Sequence, residues 1–165
     1  NMSRISSGEL KGTFKRIDVR DLIQETMTLF QETFRNQNIH LGLALPNEFP
    51  KLKLDTTLFS QVLINLINNA LNYAECTGIE IALSLQKENK SAKAIITIKD
   101  NGIGIEQKHI KKLFKPFYRI PGSNNRGTGL GLSITKSIVD MHDGQIEVKS
   151  NPTQGTAFII AMPIK

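Results

Sequence analysis

NLINNALNYA, residues 65–74, sets four asparagines into an apolar helical pattern. It closes an apolar pattern that starts after Asp55. Leu63, Leu66, Ile67, Ala70 and Leu71 recur at helical spacing, which predicts a helix over 55–74 with Asp55 as its cap and these side chains buried. Asn65, Asn68, Asn69 and Asn72 then fall at i, i+3, i+4 and i+7. At about 100° per residue they share one narrow stripe. Asparagine costs up to ~0.7 kcal/mol against alanine inside a helix. A face turned to solvent normally uses Lys, Glu, Gln or Arg, which cost less. A stripe of neutral amides fits a polar cavity better, because amide oxygens can ligate Mg²⁺ and amide N–H groups can donate to phosphate.

Two glycine elements lie downstream. DNGIG (100–104) ends a predicted strand. Gly102 and Gly104 permit a tight turn and close backbone approach, and Asp100 offers a carboxylate that can accept from an exocyclic amine such as that of adenine. D-N-G is also ordinary turn chemistry, so this element alone decides nothing. RGTGLGLSI (126–134) places glycine at 127, 129 and 131, directly before an apolar helical pattern. Each glycine inside a helix costs about 1 kcal/mol relative to alanine. At a helix start, however, glycines bare the backbone N–H groups, the helix dipole adds positive potential, and phosphate can come close. They also supply hinges for the loop before them. The spacing is neither that of the P-loop nor the dinucleotide-binding G-x-G-x-x-G.

The rest of the chain supplies a scaffold. Residues 14–19 suggest a short strand, and Asp18 caps a helix carrying Leu22, Ile23, Thr26, Leu29, Phe30 and Phe34. Ile39, Leu41, Leu43 and Leu45 alternate, which predicts a strand over 38–46, and Pro46 and Pro50 bracket a loop. Ile79, Ile81, Leu83 and Leu85 alternate, as do Ala94, Ile96 and Ile98, with KENKS (87–91) as the hairpin turn between them. A short helix is expected over 106–113, a mobile loop over 114–127, the glycine-led helix up to Gly144, and strands at 145–150 and 155–162. This order predicts an α+β two-layer sandwich: one mixed, mainly antiparallel sheet with helices packed on one face. Residues 1–12 read as a linker and 13–165 as one domain.

Composition narrows the function. The chain has 165 residues and a formal charge of +6, with 39% hydrophobic residues. That charge fits a solvated basic surface or a polyanionic ligand. Aromatic residues are few and form no base-stacking platform, which argues against nucleic acid. No run of ~18 apolar residues predicts a membrane span. Cys76 is the only cysteine, which excludes an internal disulfide and fits a cytoplasmic domain.

Taken together and in order, these motifs resemble the ATP-binding catalytic domain of sensor histidine kinases, in the superfamily that includes DNA gyrase and MutL. NLINNALNYA resembles its asparagine box, DNGIG its first glycine box, LFKPFYR (113–119) its phenylalanine box and GTGLGL (127–132) its second glycine box. The end, from His142, resembles the closing hairpin, with Gly155–Thr156 as a last small box. The resemblance implies the Bergerat-type sandwich, with ATP between the asparagine helix and a flexible lid. It implies that Asn69 ligates Mg²⁺, that Asn65 and Asn72 lie near the phosphates, and that Tyr73 lines the nucleotide pocket. It assigns Asp100 to the adenine amine, with Gly102, Gly104 and Ile105 shaping that wall and Thr156 closing it. Phe114, Phe117 and Arg119 belong to the lid region, with Phe117 and Arg119 at the nucleotide. Gly127, Thr128, Gly129, Leu130, Gly131 and Leu132 wrap the phosphates. The catalytic set it implies is Asn65, Asn69 and Arg119.

The same resemblance implies partners: a histidine on a preceding two-helix dimerisation domain, and a response-regulator receiver domain. Several positions depart from the common pattern. Many relatives carry Lys or Arg where this chain has Asn72, a hydroxyl residue where it has Ala74, and glycine where it has Arg126. ATP-hydrolysing relatives carry a glutamate where this chain has Asn65, and a neutral amide is a poor general base, so transfer to an external acceptor is favoured over hydrolysis. A serine kinase of the anti-sigma type and a nucleotide-binding module without transfer remain as alternatives. His142-Asp143 looks superficially like a phosphoacceptor pair, but Gly144 puts it at a helix end, so a structural role is expected. His40 and His109 show no partner pattern.

Overall fold

The computed structural model describes residues 11–122 and 129–165. After strand β1 (Lys15–Ile17), Asp18 caps helix α1 (Val19–Asn36) by accepting from the Arg20 N–H at 3.0 Å, and it also pairs with the Arg20 guanidinium at 2.6 Å. Val19, Leu22, Ile23, Thr26, Met27 and Phe34 form the buried side of α1. Leu29, expected among them, instead points out and is 70% exposed. The buried stripe of α1 runs through Thr26, whose hydroxyl donates back to the Leu22 carbonyl at 2.8 Å and so needs no outside partner.

Strand β2 (His40–Ala44) follows, then β3 (Leu52–Leu54), which pairs antiparallel with β1 as a small two-stranded sheet. From sequence, Pro46 and Pro50 bracket a loop and residues 51–54 carry no assigned element. β3 spans three residues, too short to show a period, yet Leu52 and Leu54 are fully buried. Helix α2 (Thr56–Tyr73) is the predicted asparagine helix. Asp55 caps it by accepting from the Leu58 N–H at 3.0 Å, and Phe59, Val62, Leu63, Leu66, Ile67 and Ala70 are buried.

Strands β4 (Gly78–Glu88) and β5 (Ser91–Asp100) form the expected hairpin. Helix α3 (Gln107–Ile110), helix α4 (Gly131–Met141) and strands β6 (Gln145–Ser150) and β7 (Thr156–Pro163) complete the chain. The main sheet has the order β2-β4-β5-β7-β6. Only β2–β4 is parallel, and the other pairs are antiparallel. Period two puts Ile79, Ile81, Ala94, Ile96, Ile98, Phe158, Ile160 and Met162 on one face, where they meet the helices. This is the α+β sandwich that the pattern predicts. β2 is an edge strand, so its alternating leucines bury less than the pattern implies, and Leu43 remains 42% exposed.

Asp55 and His142 tie the helix layer together away from the glycine elements. Asp55 Oδ2 accepts from the Thr13 N–H at 2.6 Å, while its own N–H donates to His142 Nε2 at 3.1 Å. The other ring nitrogen of His142 donates to the Ile138 carbonyl at 2.7 Å, which fixes a neutral ring. His142 is buried between Phe14 and Phe59, in the structural role expected of it.

Candidate functional site

A cavity of about 590 Å³ opens between α2, the turn after β5, the segment around α3 and the start of α4. All four stripe asparagines, 65, 68, 69 and 72, line it. Of the other residues singled out from sequence, Tyr73, Asp100, Gly104, Ile105, Arg119, Gly129, Gly131, Leu132 and Thr156 line it too. Gly127 and Thr128 lie outside the described residues. Gly102, Phe117 and Leu130 do not form its wall.

Gly102 sits where β5 turns against the end of α2. A Cβ there would lie 1.9 Å from the Ala74 carbonyl oxygen, the same oxygen that accepts from the Ile103 N–H at 2.7 Å. Only a bare backbone lets the turn approach α2 this closely. Phe117 is 69% exposed, and its backbone N–H donates to the Gly129 carbonyl at 3.0 Å. Gly129 has φ +78°, and a Cβ on it would meet the Phe117 carbonyl carbon at 2.8 Å. Glycine is therefore needed here for its backbone angle and for the close pass of the phenylalanine-box chain.

At the other end of that contact α4 begins at Gly131, with Leu130 before it and no side-chain cap. The first N–H groups of a helix have no acceptor inside it, and at Gly131 they border the cavity. Asn65 Nδ2 is 3.3 Å from the Gly131 carbonyl and 3.3 Å from Thr135 Oγ1. It bolts the amide helix to the glycine-led helix, a role that could not be read from spacing. The side-chain amides of Asn68, Asn69 and Asn72 make no hydrogen bond to another described residue.

Asp100 closes the deep end. Its Oδ1 accepts from the Gly102 N–H at 2.9 Å and the Thr156 N–H at 3.3 Å, and Oδ2 has no partner among the described residues. Burial pushes the Asp100 carboxyl up from the usual carboxylate range, and the two N–H bonds offset part of that shift. Tyr73, Ala74, Ile103, Ile105, Leu113 and Phe158 give this end apolar walls. Among the described lining residues, Arg119 is the one Lys or Arg side chain.

The sequence reading missed His109 and Tyr118 as wall residues. His109 Nδ1 and the Tyr118 hydroxyl are 2.6 Å apart, which cross-links α3 to the segment carrying Arg119. Nine residues separate them, with no helical or strand period to announce the contact.

At its deep end the cavity has apolar walls around the Asp100 carboxylate. Its other end is lined with free amides and a helix start. That is the donor set a purine nucleotide with phosphates needs, and its volume lies in the range of cofactor pockets. A family model described as Histidine kinase-, DNA gyrase B-, and HSP90-like ATPase matches residues 54–165. The alginate biosynthesis sensor protein KinB of Pseudomonas aeruginosa is 32% identical over 164 residues, covering 99% of this chain and 27% of that protein. The sensor protein SrrB of Staphylococcus aureus is 41% identical over 136 residues, covering 79% of this chain and 23% of that protein. The chain thus spans about a quarter of the length of these two relatives. The solved catalytic domain of the histidine kinase ThkA matches with a TM-score of 0.76 at 31% identity, covering 92% of this chain and 98% of that one. ThkA solved in complex with the response regulator protein TrrA matches with a TM-score of 0.73 at 29% identity, covering 92% of this chain and 42% of that one. The chain therefore belongs to the histidine kinase-, DNA gyrase B- and HSP90-like ATPase family, as an ATP-binding catalytic domain of the sensor histidine kinase type.

Proposed function

We propose that this domain holds Mg–ATP in the cavity and presents the γ-phosphoryl group to a histidine outside the chain. The observation that carries the reading is the convergence of the α2 amides and the start of α4 on one space that ends at Asp100. Asp100 Oδ2 accepts from the adenine amine, and Tyr73 and Ile105 flank the base. The N–H groups at Gly131 and Leu132, together with Arg119, face the phosphates. Asn69 is the metal ligand through its amide oxygen, and Asn72 lies beside it. A bound Mg²⁺ supplies charge neutralisation across the phosphate oxygens, and positioning contributes most of the rate.

No carboxylate stands at the Asn65 position to activate water; the carboxylates among the described lining residues are Asp100 and Glu106, and Glu106 pairs with Lys108 at 3.3 Å. Asn65 is an amide, and both of its N–H contacts run to α4. Asp100 is engaged at the base end. Transfer to an acceptor nitrogen breaks the bond between the γ-phosphorus and the β,γ-bridging oxygen and forms an N–P bond. ADP leaves with the bonding electrons, and the imidazole proton passes to a base on the acceptor side. The acceptor fits a two-helix dimerisation domain joined through residues 1–12. The complex of ThkA with TrrA supports a receiver domain as the next partner. The domain works where ATP and a receiver domain meet, in the cytoplasm.

Asn72 favours a second reading, a module that binds nucleotide without transferring it, because among the described lining residues Arg119 is the one Lys or Arg. The two separate in one assay. The domain is incubated with labelled Mg–ATP and a purified two-helix histidine domain, and the acid lability of any product is measured. An acid-labile, base-stable phosphate on the histidine domain is expected. An acid-stable product would point to a serine kinase. Nucleotide binding without any product would leave the binding module.

A further inference from the structure

Ser150 stands behind the adenine end of the cavity, 6% exposed and outside its wall. Its hydroxyl oxygen has three neighbours: the Gly155 carbonyl at 2.8 Å, the Ile105 N–H at 2.8 Å and the Thr156 hydroxyl at 2.9 Å. A serine hydroxyl has one hydrogen to give and two lone pairs to receive with. The Gly155 carbonyl can only accept, so the Ser150 hydrogen goes there. The Ile105 N–H can only donate, so it takes one lone pair. The remaining lone pair obliges Thr156 to donate its hydroxyl hydrogen to Ser150. Thr156 Oγ1 is then left with lone pairs only.

Thr156 lines the cavity, and the strand register places it directly opposite Asp100. The deep end thus offers a ligand two acceptors side by side: Oδ2 of an ionised Asp100 and Oγ1 of Thr156. For a purine held with its 6-position at this pair, as in the proposed site, an amine can give a hydrogen to each oxygen, whereas a carbonyl meets two acceptors. A bridging water would transmit the same preference, since donating to both oxygens leaves it only lone pairs to offer.

We propose that Ser150 is a specificity-positioning residue, whose hydrogen-bond network locks Thr156 as an acceptor and so selects a 6-amino purine over a 6-oxo purine. The inference rests on the proposed nucleotide site. It adds a second determinant to Asp100, one placed outside the cavity.

The test is calorimetric titration of the domain with ADP and with GDP, for the wild type, Thr156→Val and Ser150→Ala. The wild type binds ADP more tightly than GDP; if it binds neither, the nucleotide site itself is wrong, which is a separate failure. Thr156→Val removes the acceptor while the Ser150 bonds to Gly155 and Ile105 survive, so it keeps the fold. It weakens ADP while leaving GDP unchanged, narrowing the ADP/GDP ratio roughly tenfold. Ser150→Ala frees the Thr156 hydroxyl to turn and donate to a carbonyl, so GDP binding strengthens and the ratio narrows similarly. A merely structural role for Ser150 weakens both nucleotides equally and leaves the ratio unchanged, which overturns the proposal. So does a Thr156→Val variant in which GDP loses as much as ADP. Should Ser150→Ala fail to fold, the Thr156→Val ratio decides alone.

Discussion

Asp100→Asn separates affinity from stability, with opposite signs. The two N–H groups bonded to Oδ1, at 2.9 and 3.3 Å, can bond to the asparagine carbonyl oxygen in the same way. What changes is Oδ2, which becomes an NH₂ facing the ligand. A hydrogen bond to a charged acceptor contributes about 1.5–3 kcal/mol, and a donor set against the adenine amine leaves both groups unpaired. Together these give about 3 kcal/mol, or roughly a hundredfold weaker ADP binding. Stability moves the other way. Burial raises the Asp100 pKa in the folded state, so its stabilising contribution is present below the unfolded carboxylate pKa. That contribution is lost as pH rises through the folded pKa. At neutral pH the ionised carboxylate is therefore a net cost to the fold, and asparagine removes it. The assay pairs calorimetric ADP titration with thermal unfolding over a pH series that runs from neutral into the acid range. Wild-type ADP affinity should fall as pH drops toward an Asp100 pKa above the usual carboxylate range, while the variant stays flat over the same window. Its Tm at neutral pH should equal or exceed that of the wild type. A loss of ADP affinity below about threefold would refute the assignment of Oδ2. So would a Tm drop of several degrees accompanying the loss, because the residue would then be holding the fold rather than the ligand.

Two further outcomes follow from the same geometry. Gly129→Ala forces a side chain into φ +78° and into the Phe117 backbone, a cost of about 1–3 kcal/mol from backbone strain alone. Because it acts on the loop before α4, triphosphate analogues should weaken at least tenfold while Tm changes by only a few degrees, as read by calorimetry and thermal unfolding. Asp55→Ala removes the α2 cap and the Thr13 contact, far from the cavity, and should cost about 2 kcal/mol of stability in denaturant titration, with ADP affinity in the folded protein unchanged.

What the sequence made legible follows from period and composition. Helix α2 is long, capped and periodic, and its amide stripe is costly enough to demand a reason, so both the helix and one wall of the site could be read. The β4–β5 hairpin announced itself by alternation on both of its strands. β3 did not, since three residues carry no period and its burial comes from β1, some 40 positions earlier in the chain. Leu29 shows a related limit: an apolar residue can match helical spacing and still fall outside the buried stripe. In the site, residues that touch the cavity through local motifs were legible, from Asn69 to Asp100 and Gly131. Residues that act through tertiary contacts were not. The bolt from Asn65 to Thr135, the His109–Tyr118 cross-link and Ser150 behind Thr156 each depend on segments that meet only in the folded chain. Their residue types are unremarkable until a distance joins them.

The central claim is that the α2 amides and the start of α4 hold a metal-bound triphosphate between them. Its most direct test is the affinity of a non-hydrolysable ATP analogue, measured by calorimetry with and without Mg²⁺, in the wild type and in Asn69→Ala. Mg²⁺ should tighten binding to the wild type, and Asn69→Ala should abolish this gain while leaving metal-free binding within about twofold. A gain from Mg²⁺ that survives intact in Asn69→Ala would contradict that claim.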